Sequence, residues 1–95
     1  METVQEAFDA IHAGYRRHYV DVAADPDLAL LEGDRLYAEG LARLARLGDL
    51  HAIEVLAGVI TRCAEAHGAG AAGPAQTRSE WEAGALEVNC TPPDL

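Results

Sequence analysis

Apolar residues recur at helical intervals along most of this chain, and before residue 68 the pattern breaks sharply at Asp25-Pro26 and Gly48-Asp49. Those two breaks predict three successive helices. Proline suits a first helical position with Asp before it as cap. Glycine tolerates a left-handed helix exit, and the Asp after it can accept the amide hydrogen bonds of a new helix. So short a link predicts helices two and three as an antiparallel hairpin. Ala and Leu supply much of the 49% apolar content, against one Phe, one Trp and three Tyr, a mix that favours helix over strand. The expected fold is therefore all-α: a small bundle of three main helices plus a short C-terminal one.

Thr3-Val4-Gln5-Glu6 fits a capping box, and Val4, Phe8, Ile11, Tyr15 and Val22 follow on one stripe, with His18 and Tyr19 at its edges. This predicts a first helix ending near Val22–Ala24. The second helix, Pro26 to Leu47, is expected to turn Leu30, Tyr37, Leu41 and Leu44 inward and to gather Glu32, Arg35, Glu39, Arg43 and Arg46 on one side. The third, Leu50 to His67, carries Leu50, Ile53, Leu56, Ala57, Ile60, Cys63 and Ala64 on its inner face, leaving Val55 and Val59 as a second contact surface. Residues 1–67 then form a three-helix bundle. Residues 68–76, Gly-rich, read as a flexible linker. Residues 77–95 read as a short helix, opened by a second capping box at Thr77-Arg78-Ser79-Glu80 and lined by Trp81, Gly84, Ala85 and Val88, then an extended tail with two prolines.

A formal charge of −9, from seven Arg, no Lys and sixteen carboxylates, argues against binding nucleic acid or anionic lipid. No apolar run approaches a membrane span and Met1-Glu2-Thr3 lacks a signal-peptide layout, so a cytoplasmic location is expected. Cys63 and Cys90 have neither metal-like spacing nor a disulfide framework and read as reduced thiols.

Asp34 is the most unusual position, because helical spacing puts it on the apolar face of helix two beside Leu30, Tyr37 and Leu41. A carboxylate there needs a partner. A Tyr, His or Arg of helix one or a solvated groove end would serve, and so would a cation or an Arg of another protein. Gly33 and Gly40, seven residues apart on an edge of that face, admit close packing within the chain or between subunits. His18, Asp21 and Asp25 share part of one helix face, while Asp9-x-x-His12 and His51-x-x-Glu54 only approach the Glu-x-x-His pairs of di-iron bundles. A solvated face explains them better, and no metal or cofactor is expected. Catalytic motifs are missing: Cys63 suits a core, Ser79 suits a cap, and the Gly-rich stretch lacks a P-loop's Lys.

Leu30-Leu31-Glu32-Gly33-Asp34-Arg35-Leu36-Tyr37-Ala38 resembles the Leu-x-Ala-Gly-Asp-x-Leu segment of the all-α trans-polyprenyl diphosphate synthases, a likeness spanning about residues 28–47. In that family the segment is a core helix, with Ala where Glu32 stands here. The Asp-Asp-x-x-Asp motifs that hold magnesium and diphosphate in that family have no counterpart, since Asp21, Asp25 and Asp27 are wrongly spaced. The resemblance thus implies a degenerate, non-catalytic relative or accessory subunit, and with it a small apolar-ligand carrier as a lesser option. Together these features predict a non-catalytic interaction protein that self-associates or binds a larger, prenyltransferase-like enzyme. The alternative is a metal-binding or catalytic bundle using Asp34 with His12 or His18, completed across a subunit interface.

Overall fold

A computed structural model describes residues 2–22, 24–70 and 74–93, with side chains for all but 74–76. Four helices follow in order, α1 (Val4–Tyr19), α2 (Pro26–Leu47), α3 (Leu50–Gly68) and α4 (Pro74–Glu87), and no strand occurs among the described residues. The result is an all-α bundle measuring 35 × 25 × 21 Å.

The caps form where the sequence places them. Thr3 Oγ1 accepts from the Glu6 amide at 3.1 Å, Asp25 from Leu28 at 3.1 Å, and Asp49 from Ala52 at 2.9 Å. Gly48 takes φ 72°, and the amides of Gly48 and Asp49 donate back to Ala45 and Leu44 at 3.1 Å each. That is a Schellman exit, with Asp49 ending α2 and capping α3. α4 ends the same way on Asn89, φ 58°, with the Cys90 amide donating to Ala85 at 2.8 Å.

Other boundaries differ from expectation. α1 stops at Tyr19, because the Val20 and Asp21 amides both turn back to the Arg16 carbonyl at 2.8 and 2.6 Å. Arg16 and Arg17 then hold Asp21, through its carboxylate at 3.0 Å and its carbonyl at 2.5 Å. Val22 is left exposed. α4 begins at Pro74, so Thr77 lies within the helix rather than capping it. Of the expected linker, residues 71–73 lie outside the described residues.

The tightest packing joins α1 to α2, not α2 to α3. Three glycines bring these backbones together. A Cβ at Gly40 would sit 2.8 Å from the Ala7 carbonyl oxygen and against Ile11; one at Gly33 would sit 2.9 Å from that of Gly14 and against the His18 ring. Ala29, Gly33, Gly40 and Leu44 accordingly form the buried line of α2, with Tyr37 and Leu41 half-buried. Leu30, expected inside, is exposed.

α3 is likewise rotated from its expected face. Ala52, Leu56, Val59 and Cys63 are buried and Leu50 is exposed. Val59, read as part of a second contact surface off the main stripe, is fully buried because α4 packs on it: a Cβ at Gly84 would stand 2.9 Å from its Cγ2. Trp81, Ala85, Val88 and Cys90 complete the core with Phe8, Ile11, Tyr15 and Leu44. Trp81 meets Phe8 edge-on at 5.9 Å and His12 at 5.0 Å. The segment after α4 is tied down as well, with the Thr91 amide donating to Gln5 Oε1 at 2.8 Å. A single core thus runs from Ala7 to Cys90.

Candidate functional site

Three residues singled out from sequence, His18, Asp34 and Tyr37, meet at one end of the α1–α2 seam. His18 Nε2 lies 2.7 Å from Asp34 Oδ1, and its ring packs on Tyr37 with centroids 5.3 Å apart. Gly33, one residue before Asp34, makes room for the imidazole. The carboxylate is solvated rather than buried within the apolar face, and it takes a histidine of α1 as its partner. Its side chain is 67% exposed against 15% for His18, since the α2 face in contact with α1 is centred on the glycines and leaves Asp34 at the rim. Burial raises the Tyr37 hydroxyl far above its ordinary range.

A second cluster, missed from sequence, adjoins the first through Tyr19, whose ring packs on His18 at 5.3 Å. Tyr19 stacks on His67 at 4.0 Å and 6°. The Tyr15 hydroxyl lies 3.0 Å from His67 Nε2 and 2.5 Å from Thr77 Oγ1. Thr77 donating to Tyr15, and Tyr15 to a His67 protonated on Nδ1, satisfies both contacts. Tyr15 and Tyr19, four apart on α1, share a face, which was the available signal. The long-range partners came from α3 and α4, whose placement no local pattern fixes. These groups are mutually bonded and pin three helices together.

His12 faces away from Asp34. It is buried against Trp81, and its Nε2 has no hydrogen-bond partner among the described residues. Burial, with Arg16 nearby, lowers its pKa to about 4. Cys63 is pushed up to about 11 by burial and by Glu80, and burial also raises Cys90, so neither thiol has the character of an activated nucleophile. No group of three His, Cys, Asp or Glu side chains converges on a possible metal position among the described residues.

An open cleft of about 340 Å³ lies between α3 and α4, lined by His51, Glu54, Val55, Arg62 and Glu87. Val55, half-buried, is the one aliphatic side chain among these five. Arg62 pairs with Glu80 at 2.5 Å and His51 with Glu87 at 3.7 Å across the two helices. The cleft shares no residue with the His18–Asp34 pair.

The least expected feature is the outer face of α2. Leu28, Leu31, Arg35, Ala38, Ala42 and Ala45 are all exposed, with Leu31 at 67% and Leu28 at 48%. Their three–four spacing is that of a helix-pairing seam. Arg35 is the one charged residue on this line and the others flank it: Arg17 holds Glu32 at 2.7 Å, and Glu39 bridges Arg35 and Arg43 at 3.1 and 3.3 Å. α2 therefore has two apolar faces, one against α1 and one against solvent. No helix among the described residues is long and apolar enough to cross a membrane.

No family model matches this sequence, and no curated protein or solved structure matches it either.

Proposed function

We propose that this protein is a non-catalytic helical interaction module that works by docking the outer face of α2 on another protein surface, either a copy of itself or a larger enzyme. The observation that carries this reading is the solvent-facing line Leu28, Leu31, Ala38, Ala42 and Ala45, which repeats at the spacing of packed helices although α2 already buries a different face. The interior supports it, since its titratable groups bond to one another or are buried, and neither the His18–Asp34 pair nor Cys63 lines the open cleft. For a larger partner, the likeness of residues 28–47 to a prenyl synthase helix makes an all-α enzyme of that kind the first candidate. The reading places the protein in the cytoplasm, where Cys63 and Cys90 stay reduced.

Hydroxyl-radical footprinting of material isolated from its natural source tests the reading. Leu28 and Leu31 should be protected relative to Leu50 and Leu86, which are also exposed in the single chain. Equal labelling of all four would end it.

A further inference from the structure

We infer that the occupant of the outer α2 face is a second copy of this chain, lying antiparallel across a two-fold axis between Arg35 and Ala38. The inference rests on the interaction reading above and deepens it by naming the partner. Two features of the face fit its own reversed image. The first is size: the bulky residues Leu28 and Leu31 stand at one end and the small Ala42 and Ala45 at the other, all exposed. Antiparallel pairing sets Leu31 over Ala42 of the second copy and Leu28 over Ala45, large on small, as interlocking helices require. Parallel pairing would stack leucine on leucine at one end and leave the alanine end gaping.

The second feature is charge. Residues 25–34 contain Asp25, Asp27, Glu32 and Asp34 and no basic residue, while residues 35–47 contain Arg35, Arg43 and Arg46 against Glu39 alone. Reversal brings the acidic half of one α2 alongside the basic half of the other, whereas parallel alignment opposes like charges. All three arginines already bond within the chain, Arg35 to Glu39, Arg43 to Glu39 and Glu6, and Arg46 to Glu2, as Glu32 does to Arg17. Those bonds leave Arg43, Arg46 and Glu32 beside the seam, where a second copy would meet exposed ion pairs rather than bare charges. Arg35, the one charged residue on the line, lies next to the axis. Its stem can cover Ala38 of the second copy while its guanidinium reaches that copy's acidic half. A net charge of −9 per chain opposes any assembly, so it is this local arrangement that selects the orientation. The contact is isologous and closes at two copies.

Sedimentation of the full chain over a wide concentration range should show a monomer–dimer equilibrium. Ala38→Glu, at an exposed site, should weaken the association constant by at least about tenfold with unchanged helicity. Mixed Leu31→Cys and Ala42→Cys chains should form the 31–42 disulfide under mild oxidation. Leu31→Cys alone should not cross-link, because in this register the two copies of residue 31 lie about 16 Å apart at 1.5 Å per residue. A monomer at every concentration, a dimer indifferent to Ala38→Glu, or prevailing 31–31 cross-links would each overturn the antiparallel homodimer. Footprinting then separates the two ideas. A lone monomer whose Leu31 is protected only in natural-source material means a different protein covers the face; one unprotected in both preparations removes the interaction reading too.

Discussion

Gly40 and Gly58 are both helical glycines, yet their surroundings give opposite expectations for a methyl group. At Gly40 the added carbon would fall 2.8 Å from the Ala7 carbonyl oxygen and against Ile11, while at Gly58 it meets only the end of Arg62 at 3.1 Å. Backbone cannot step aside, so Gly40→Ala should cost about 1–3 kcal/mol by overpacking, net of the helix propensity it gains. Gly58→Ala should stabilise by up to about 1 kcal/mol. Urea denaturation of the pair checks both signs. Gly33 and Gly40 could be singled out from sequence because glycine inside an apolar helix demands a reason. Their α1 counterparts, Ala7 and Gly14, could not: small residues carry little hydropathy, so the stripe read from Val4, Phe8 and Ile11 reached α2 through Ile11 and left out the small residues beside it. Asp34 was read as interior by the same error, since large apolar residues were taken to mark the centre of a face that glycines occupy.

His12 supplies a pH dependence with a definite sign. Its pKa near 6.5 in an unfolded chain falls to about 4 in the fold, so between those values the unfolded state binds the proton and the folded state does not. Stability is therefore full above pH 6.5 and declines as pH falls towards 4. Between pH 7 and 5, where carboxylates remain mostly ionised, the loss should be roughly 1–2 kcal/mol. His12→Gln should flatten the urea midpoint over that window. A profile equally steep in wild type and variant would show that the imidazole is not what titrates.

At the scale of elements, Asp49 is the most economical residue in the chain. Its amide closes the exit of α2 at 3.1 Å, and its carboxylate receives the Ala52 amide at 2.9 Å. Asp49→Ala should cost about 1 kcal/mol through the side-chain cap alone, and Asp49→Asn should retain most of it. Gly48→Ala, at φ 72°, should cost a comparable 1–2 kcal/mol or so. Thermal melts of the three variants separate cap from exit. These termini were legible because capping is local chemistry written in adjacent residues. The start of α4 was not, since Thr77-Arg78-Ser79-Glu80 has the form of a cap and only the long-range bond from Tyr15 reveals that the threonine hydroxyl is used elsewhere. Face rotation was hidden for the same reason. Val59 looks outlying on α3 until α4 lies over it.

The whole molecule depends on its last quarter. Trp81 stands between Phe8 and His12 of α1, and Ala85, Val88 and Cys90 continue the same core, so α4 is the wall that encloses α1 on the side α2 leaves open. A domain this small has a total stability of about 5–10 kcal/mol. Trp81→Ala should remove about 3–5 kcal/mol of it and leave a marginal, loosely packed protein. Ending the chain at Gly70 should go further, exposing Phe8, His12, Tyr15 and Val59 together. The expected product keeps helical far-UV circular dichroism, loses dispersed amide resonances and binds a hydrophobic dye, which are the marks of secondary structure without fixed packing. Cooperative unfolding of the shortened chain with dispersed resonances would instead mean that α1, α2 and α3 form a complete domain and α4 an addition to it. The outer α2 face is distant from this change by construction of the fold, lying opposite the α1 seam. Loss of self-association on truncation would then report loss of the rigid α1–α2 pair that presents the seam, while loss on Ala38→Glu reports the seam itself.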